Sequence, residues 1–223
     1  MKKSSNKFFF ILGRNPTLSF AELLSVLRKF SPIYQIEVFA REAAVITIEN
    51  DVDTAMLMNT LGGTVKIGEV ITSVSWNQSE SVFEDAISAK TLTAKFFQQS
   101  SGKIRFGISI YDGGGDAALL KRLTGEQKNW HIQIKENLKK AGISSGFTSI
   151  KERTLSSVTV AKEHLINKGA EIVFIVAKDA LYIGATRQVQ AFEEFALRDI
   201  ARPGRDKRSG IMQIGRASCR ERV

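Results

Sequence analysis

The chain has 223 residues, of which 43% are hydrophobic, so it can form one large or two small domains with a buried core. Its formal net charge of +9 favours a polyanionic partner such as nucleic acid or an anionic membrane surface, although modest basicity also serves solubility. One cysteine and two histidines exclude an intramolecular disulfide framework, argue against a structural zinc site and agree with a reducing cytoplasm.

The N-terminal apolar run predicts a strand rather than a targeting segment. Residues 8–13 follow a basic start, but these six residues are fewer than the roughly 7–15 apolar residues of a signal-peptide core. No apolar run approaches the roughly 18 residues that span a membrane. We therefore expect a cytoplasmic protein with no membrane partner and a buried first strand at 7–14.

The first 75 residues predict elements in the order β-α-β-β-α-β. Ser19 and Glu22 have capping-box spacing in the first helix, and Asp51 is placed to cap the second. The order is that of a ferredoxin-like split βαβ unit. The elements are a strand at 7–14, a helix at 15–30, strands at 33–40 and 43–50, a helix ended by Gly62 and Gly63, and a strand at 64–74.

A polar stretch at 75–81 interrupts this pattern and predicts a domain boundary. Beyond it, the period of the apolar residues and the composition predict a second small α/β unit and then, from Arg202, a linker. The elements are one helix at 81–99, a half-buried strand at 103–111, a glycine-rich loop at 112–127, a helix at 132–142, an extended segment at 147–153, a helix at 155–169, a hairpin of strands at 171–177 and 181–189, and a short helix at 191–201. The fold class is α+β.

The sequence contains no complete catalytic constellation. The segment 111–116, YDGGGD, has glycines that could cradle a phosphate, but it lacks both the G-K-[ST] ending and the G-x-G-x-x-G frame, so a flexible connection fits it better. Glu193 and Glu194 are neighbours on a predicted helix and point about 100° apart, so they do not share a site. His131 and His164 have no acidic or thiol neighbour and are interpreted as surface or satisfied histidines. We expect no catalytic, cofactor-binding or metal-binding residue.

Basic residues carry the strongest functional signal. Lysine and arginine neutralise phosphates in a salt-sensitive way, although each charge alone could simply be solvated. The run at 198–208 favours function because it lies at a predicted junction. Few exposed aromatic residues are expected beside these charges, so base stacking is not indicated. The candidate RNA-binding residues are Lys135, Lys139, Lys140, Lys151, Arg153, Lys162, Arg187, Arg198, Arg202, Arg205, Lys207 and Arg208.

Three stretches resemble the THUMP-domain tRNA methyltransferases, above all those that methylate guanine N2. They are ILGRNPTLSFAEL near the start, LSSVTVAK at 155–162 and the segment 182–212, of which 192–212 is the most specific part. The family has a ferredoxin-like domain, a THUMP domain that grips the acceptor end of tRNA, and a Rossmann-like domain that binds S-adenosylmethionine. The resemblance implies a ferredoxin-like domain at 1–75, a THUMP-like domain at 76–191 and a junction at 192–213.

The chain departs from the family after Met212. Neither the family's glycine-rich cofactor loop nor its D-P-P-Y-like or N-P-P-Y-like tetrapeptide occurs in the sequence. The resemblance therefore implies a tRNA-binding fragment without the methyltransferase domain, with S-adenosylmethionine belonging to the full-length parent. A stand-alone THUMP-type adaptor that serves another tRNA-modifying activity is the alternative, and a purely structural two-domain protein is a third possibility.

The last ten residues, 214–223, read IGRASCRERV and carry the only cysteine, Cys219. One set of codons for them reproduces a common short-read sequencing adapter, whose next codon is a stop. We therefore expect this segment to be translated adapter sequence rather than a basic nucleic-acid-binding tail. The codon for Gln213 would then span the junction between genomic DNA and adapter DNA. Without its three arginines and one glutamate the chain would still be basic.

Overall fold

The computed structural model describes residues 6–49, 52–97, 102–148 and 152–192 as a mixed α/β fold. The strands are β1 (Asn6–Leu12), β2 (Tyr34–Phe39), β3 (Ala43–Ile48), β4 (Thr64–Ser75), β5 (Ile104–Gly113), β6 (Ser145–Phe147), β7 (Gly169–Ala177) and β8 (Ala180–Val189). The helices are α1 (Pro16–Phe30), α2 (Thr54–Thr60), α3 (Glu80–Ile87), α4 (Ala89–Phe97), α5 (Ala117–Lys140) and α6 (Ser157–Lys162). No helix in these ranges is long and apolar enough to cross a membrane.

The strands form one eight-stranded sheet in the order β2-β3-β1-β4-β8-β7-β5-β6. The first four strands come from the predicted β-α-β-β-α-β segment and pair antiparallel. β8 then pairs antiparallel along β4, from Lys66 opposite Val189 to Ser75 opposite Ala180. The sheet is therefore continuous across the predicted boundary near residue 75, and the predicted hairpin of β7 and β8 is confirmed.

Both faces of the sheet are buried. On one face, α1 and α2 cover a cluster that includes Phe10 and Ile46, and α3, α4 and α5 cover a second cluster that includes Phe106 and Phe174. The opposite face buries a third apolar cluster to which β1, β2, β3, β5, β7 and β8 all contribute. β3 and β5 contact each other although four strands lie between them in the sheet, so the sheet curls and packs this inner face against itself.

Glycines allow the tightest contact of the inner face, where β4 and β8 pass Phe9. A Cβ atom on Gly68 would lie 2.0 Å from the Phe9 ring and 2.4 Å from the carbonyl oxygen of Ala185. A Cβ on Gly184 would lie 2.2 Å from the carbonyl oxygen of Glu69. Any larger residue at either position would push the two strands apart.

The first two helices are capped by residues other than those predicted. Asn15 caps α1 by accepting from Leu18 N at 3.4 Å, and Pro16 occupies the first turn, where its missing N–H costs nothing. Asp53 caps α2, with its carboxylate accepting from the amides of Ala55 and Met56, and the predicted cap residue Asp51 lies outside the described residues. Ser19 lies buried inside α1 and donates to the carbonyl oxygen of Asn15 at 2.8 Å.

Glu22 has a different partner from the one its capping-box spacing predicts. Its two carboxylate oxygens accept from the amides of Gly62 and Gly63, each at 2.7 Å. These amides follow α2 and lie forty residues along the chain from Glu22. The carboxylate therefore ties the end of α2 to the middle of α1.

Three predicted boundaries in the second half are also wrong. The helix predicted at 81–99 is broken at Ser88, whose extended backbone ends α3 and whose hydroxyl accepts from Thr91 N at the start of α4. The loop predicted at 112–127 ends early, because Asp116 caps α5 at Ala117. α6 ends at Lys162 rather than near residue 169. The short helix predicted at 191–201 lies almost wholly outside the described residues.

Candidate nucleic-acid interface

Two of the predicted lysines line a groove between the end of α5 and β6. Trp130, Ile134 and Leu138 form the buried face of α5, so Lys135 and Lys139, one helical turn apart, are exposed on the other side. The opening of about 500 Å³ is completed by Gly142, Ile143, Ser144 and Ser145. We call it the lysine groove.

A backbone turn after α5 shapes the floor of the lysine groove. The amide of Gly142 donates to the carbonyl oxygen of Lys139 at 3.0 Å, and that of Ile143 donates to Leu138 at 2.9 Å. Gly142 has φ +77°, a conformation that glycine adopts without strain. Lys139 and Lys140 also lie in the last turn of α5, where positive charge stabilises the helix carbonyl end.

An aromatic ring accompanies these lysines, contrary to the expectation from sequence. Phe147 is 36% exposed, and the Lys135 Nζ atom lies 5.8 Å from the centroid of its ring. The ring also stacks on His131, with centroids 4.9 Å apart. A cation beside a partly exposed aromatic ring is an arrangement that binds both the phosphate and the base of single-stranded RNA.

His131 is a buried spacer beneath Phe147 rather than a basic contact. It is 3% exposed and packs between Phe106 and Phe147. Burial lowers the pKa of His131 from 6.5 to about 4, so its imidazole is neutral at physiological pH. Its Nε2 has no hydrogen-bond partner in the part of the chain that the structure describes.

Arg153 lies elsewhere, in an opening of about 490 Å³ that it shares with Arg14 and Arg41. We call this opening the arginine groove. Its walls are the β1–α1 connection, the β2–β3 turn, the end of β5 and the segment before α6, which meet where the sheet curls. Arg153 forms an ion pair with Glu42 and donates to the carbonyl oxygen of Ile110 at 3.4 Å. Arg153 was predicted from the sequence as an RNA contact, whereas Arg14 and Arg41 were not.

The other predicted contacts do not form one patch with the lysine groove. Arg187 lies on β8, with β7 and β5 between it and β6, and its guanidinium donates twice to Glu69, at 2.8 and 3.2 Å. Lys140 and Lys162 are exposed but line neither groove. The remaining candidates lie outside the described residues: Lys151, Arg198, Arg202, Arg205, Lys207 and Arg208.

The glycine-rich segment before α5 has a local structural role. The Asp112 carboxylate accepts from the amide of Gly114 at 2.7 Å, and the Asp116 carboxylate accepts from the amides of Ala118 and Leu119. Both carboxylates therefore bond backbone groups of their own segment. Within the described ranges, no three histidine, cysteine, aspartate or glutamate side chains are grouped as metal ligands.

A buried ion pair on the inner face is the main feature that sequence analysis missed. Lys66 and Glu171 are 1% and 0% exposed and lie 2.5 Å apart. Ser109 and Thr186 donate to the same carboxylate, and Lys66 also donates to the carbonyl oxygen of Leu155 at 2.7 Å. Burial lowers the pKa of Lys66, and the neighbouring carboxylate opposes that shift. Since its groups are bonded to one another, this cluster supports the fold rather than chemistry.

No protein-family model and no curated protein matches the chain. Among solved structures, TrmN from Thermus thermophilus has 13% identity over 86% of this chain and 50% of its own, with a TM-score of 0.49. PH1313 from Pyrococcus horikoshii has 14% identity over 83% and 55%, with a TM-score of 0.41. A predicted N6-adenine-specific DNA methylase from Listeria monocytogenes has 9% identity over 98% and 48%, with a TM-score of 0.47.

The chain spans about half the length of each of these three proteins. Their TM-scores are all under 0.5, so the likeness carries no argument about function.

Proposed function

We propose that this chain is the tRNA-binding portion of an S-adenosylmethionine-dependent tRNA guanine-N2 methyltransferase. In this proposal, residues 1–75 form a ferredoxin-like domain, 76–191 a THUMP-like domain, and 192–213 the junction to a methyltransferase domain. The lysine groove with the exposed Phe147 ring is the observation that carries RNA binding. The motif resemblance at 182–212 supports the choice of family.

The lysine groove can bind RNA without reading its sequence. Lys135 and Lys139 are exposed, and neither forms an ion pair with any residue in the described ranges, so both ammonium groups are open to phosphate oxygens. The exposed part of the Phe147 ring offers an apolar surface against which any base can pack. Such contacts fit a module that holds and positions RNA.

Neither the lysine groove nor the arginine groove, which contains Arg153, fits S-adenosylmethionine. Both grooves are lined by cations, which repel its sulfonium group. Of the described residues that line the two grooves, Glu42 is the one carboxylate, and it already bonds Arg153 and the amide of Asp112. In the parent enzyme the cofactor would supply the methyl group, and this chain would present the tRNA.

Neutralising the lysine groove tests the proposal. We expect the double variant K135Q/K139Q to bind tRNA more weakly, and the slope of log Kd against log salt concentration to fall by about 2, because two phosphate contacts are lost. The control K121Q/K128Q removes two exposed lysines from the N-terminal half of α5 and should leave the slope unchanged. Equal slopes for the two double variants would contradict this surface.

The identity of the parent has a separate test. The proposal includes the adapter origin of residues 214–223, so the genomic locus should continue in frame past codon 212 into a domain with an N/D-P-P-Y-like tetrapeptide. A natural stop codon there would instead favour the stand-alone adaptor. A glutamine codon that runs on into the same ten residues would refute the adapter origin.

A further inference from the structure

We infer that the arginine groove is a second phosphate-binding site, distinct from the lysine groove. The inference that this phosphate belongs to RNA rests on the proposed function, whereas the binding of a phosphate group does not. The groove gathers three guanidinium groups from positions 14, 41 and 153, which only the curled sheet brings together.

The walls of the arginine groove are held by backbone bonds rather than by a ligand. The amide of Gly13 donates to the carbonyl oxygen of Gly63 at 2.8 Å, which positions the segment that carries Arg14. The amide of Leu12 donates to the carbonyl oxygen of Glu42 at 2.9 Å, which joins the same segment to the turn that carries Arg41. The site is therefore preformed, so binding would need little reorganisation.

The charges in the arginine groove are not balanced. Among the described residues that line it, Glu42 is the one carboxylate, and both its oxygens are engaged, one by Arg153 and the other by the amide of Asp112 at 2.8 Å. Arg14 and Arg41 are exposed and form no ion pair with any residue that the structure describes. Two unpaired guanidinium groups that face one opening, with a third fixed beside them, form an anion site.

The start of α1 adds to this positive potential. Pro16 lines the groove at the first turn of this 15-residue helix, and that turn contains no acidic residue. Within the described residues, the side chain that caps this turn is Asn15, which accepts from Leu18 N at 3.4 Å. Because Pro16 lines the groove, the positive end of the helix dipole lies close to it and favours an anion there.

The residue types and the size of the opening point to a phosphate that is part of a larger molecule. Guanidinium groups match the geometry of phosphate oxygens, which they bind through two parallel hydrogen bonds. The opening of about 490 Å³ lies within the roughly 300–1,000 Å³ of ordinary ligand sites, so it can also hold the sugar attached to that phosphate.

The test compares two sources of phosphate on the full chain. The variant R14Q/R41Q removes the two unpaired charges, and the control R28Q/K29Q removes two exposed charges from the last turn of α1, away from the groove. In wild type and control, inorganic phosphate should shift the NMR signals of residues 13–16 and 40–42, and R14Q/R41Q should lose these shifts. With tRNA, R14Q/R41Q should lower the salt slope by about 2, in addition to the effect of K135Q/K139Q.

The outcomes separate this inference from the proposed function. If wild type binds tRNA but R14Q/R41Q keeps both the phosphate shifts and the wild-type slope, the arginine groove is not a phosphate site, while the proposed function stands. If inorganic phosphate binds the groove but tRNA does not bind the protein even at low salt, the proposed function fails and the RNA source of the phosphate is wrong. Thermal unfolding of each variant checks that the fold is intact.

Discussion

At the scale of single residues, burial decides what the ionisable side chains can do. His131 has a pKa of about 4 because desolvation disfavours its charged form. The sequence could not show this, since the period of α5 places His131 next to exposed Ile132 and one turn from exposed Lys135. Only the packing of Phe106 and Phe147 against the imidazole removes it from water.

This low pKa predicts that stability depends on pH. The unfolded chain, in which the histidine pKa is near 6.5, binds a proton between about pH 4 and 6.5 that the folded chain does not. The free energy of unfolding should therefore have its full value above about pH 6.5 and fall by up to roughly 3 kcal/mol as the pH drops towards 4. The free energy of unfolding in urea, measured for wild type and H131L across this range, tests it. A difference between the two proteins that does not change with pH would contradict it.

At the scale of elements, periodicity predicts which segments are strands and helices but not how they end. The N-terminal half of α5 was missed because Gln127 occupies a buried position, where its side-chain amide donates to the carbonyl oxygen of Ile108 at 2.6 Å. Prediction from hydrophobic periodicity treats that glutamine as polar and therefore exposed. The Ser88 break was missed because apolar residues continue on both sides of it.

The bond from Glu22 to the end of α2 carries a prediction at this scale. E22A removes a carboxylate that accepts two backbone amides, so the free energy of unfolding should fall by about 1–3 kcal/mol. S25A, an exposed change on the same helix, should alter it by less than about 0.5 kcal/mol. Denaturant unfolding of both variants measures the effect. If E22A and S25A unfold with the same free energy, the Glu22 carboxylate does not hold the end of α2 in solution.

At the scale of the whole molecule, the Lys66–Glu171 pair joins β4 to the second half of the sheet. Its partners Ser109 and Thr186 add β5 and β8, so one buried cluster unites four strands. K66M should destabilise the protein by about 3–5 kcal/mol, because it leaves Glu171 buried without a counter-charge. The double variant K66M/E171M should be more stable than K66M alone. Urea unfolding of the two variants tests this, and a double variant less stable than K66M would refute the account.

The candidate site was predictable only where its residues are neighbours in sequence. Lys135 and Lys139 are four residues apart on a helix, and the apolar period places both on the exposed side. Arg14, Arg41 and Arg153 come from three segments that meet only after the sheet curls, so no local pattern groups them. Arg187 was predicted to bind phosphate, and its ion pair with Glu69 on the neighbouring strand could not be read from the sequence.

The pairing of β4 with β8 also sets an order of events during synthesis. β4 ends at Ser75, but its partner strand is complete only at Val189. At about 5–20 residues per second, the ribosome needs roughly ten seconds to make the intervening chain. During that time one side of a 12-residue strand presents unpaired backbone amides and carbonyls, which are a template for wrong pairing. The nascent chain is therefore most vulnerable to aggregation before β8 leaves the ribosome.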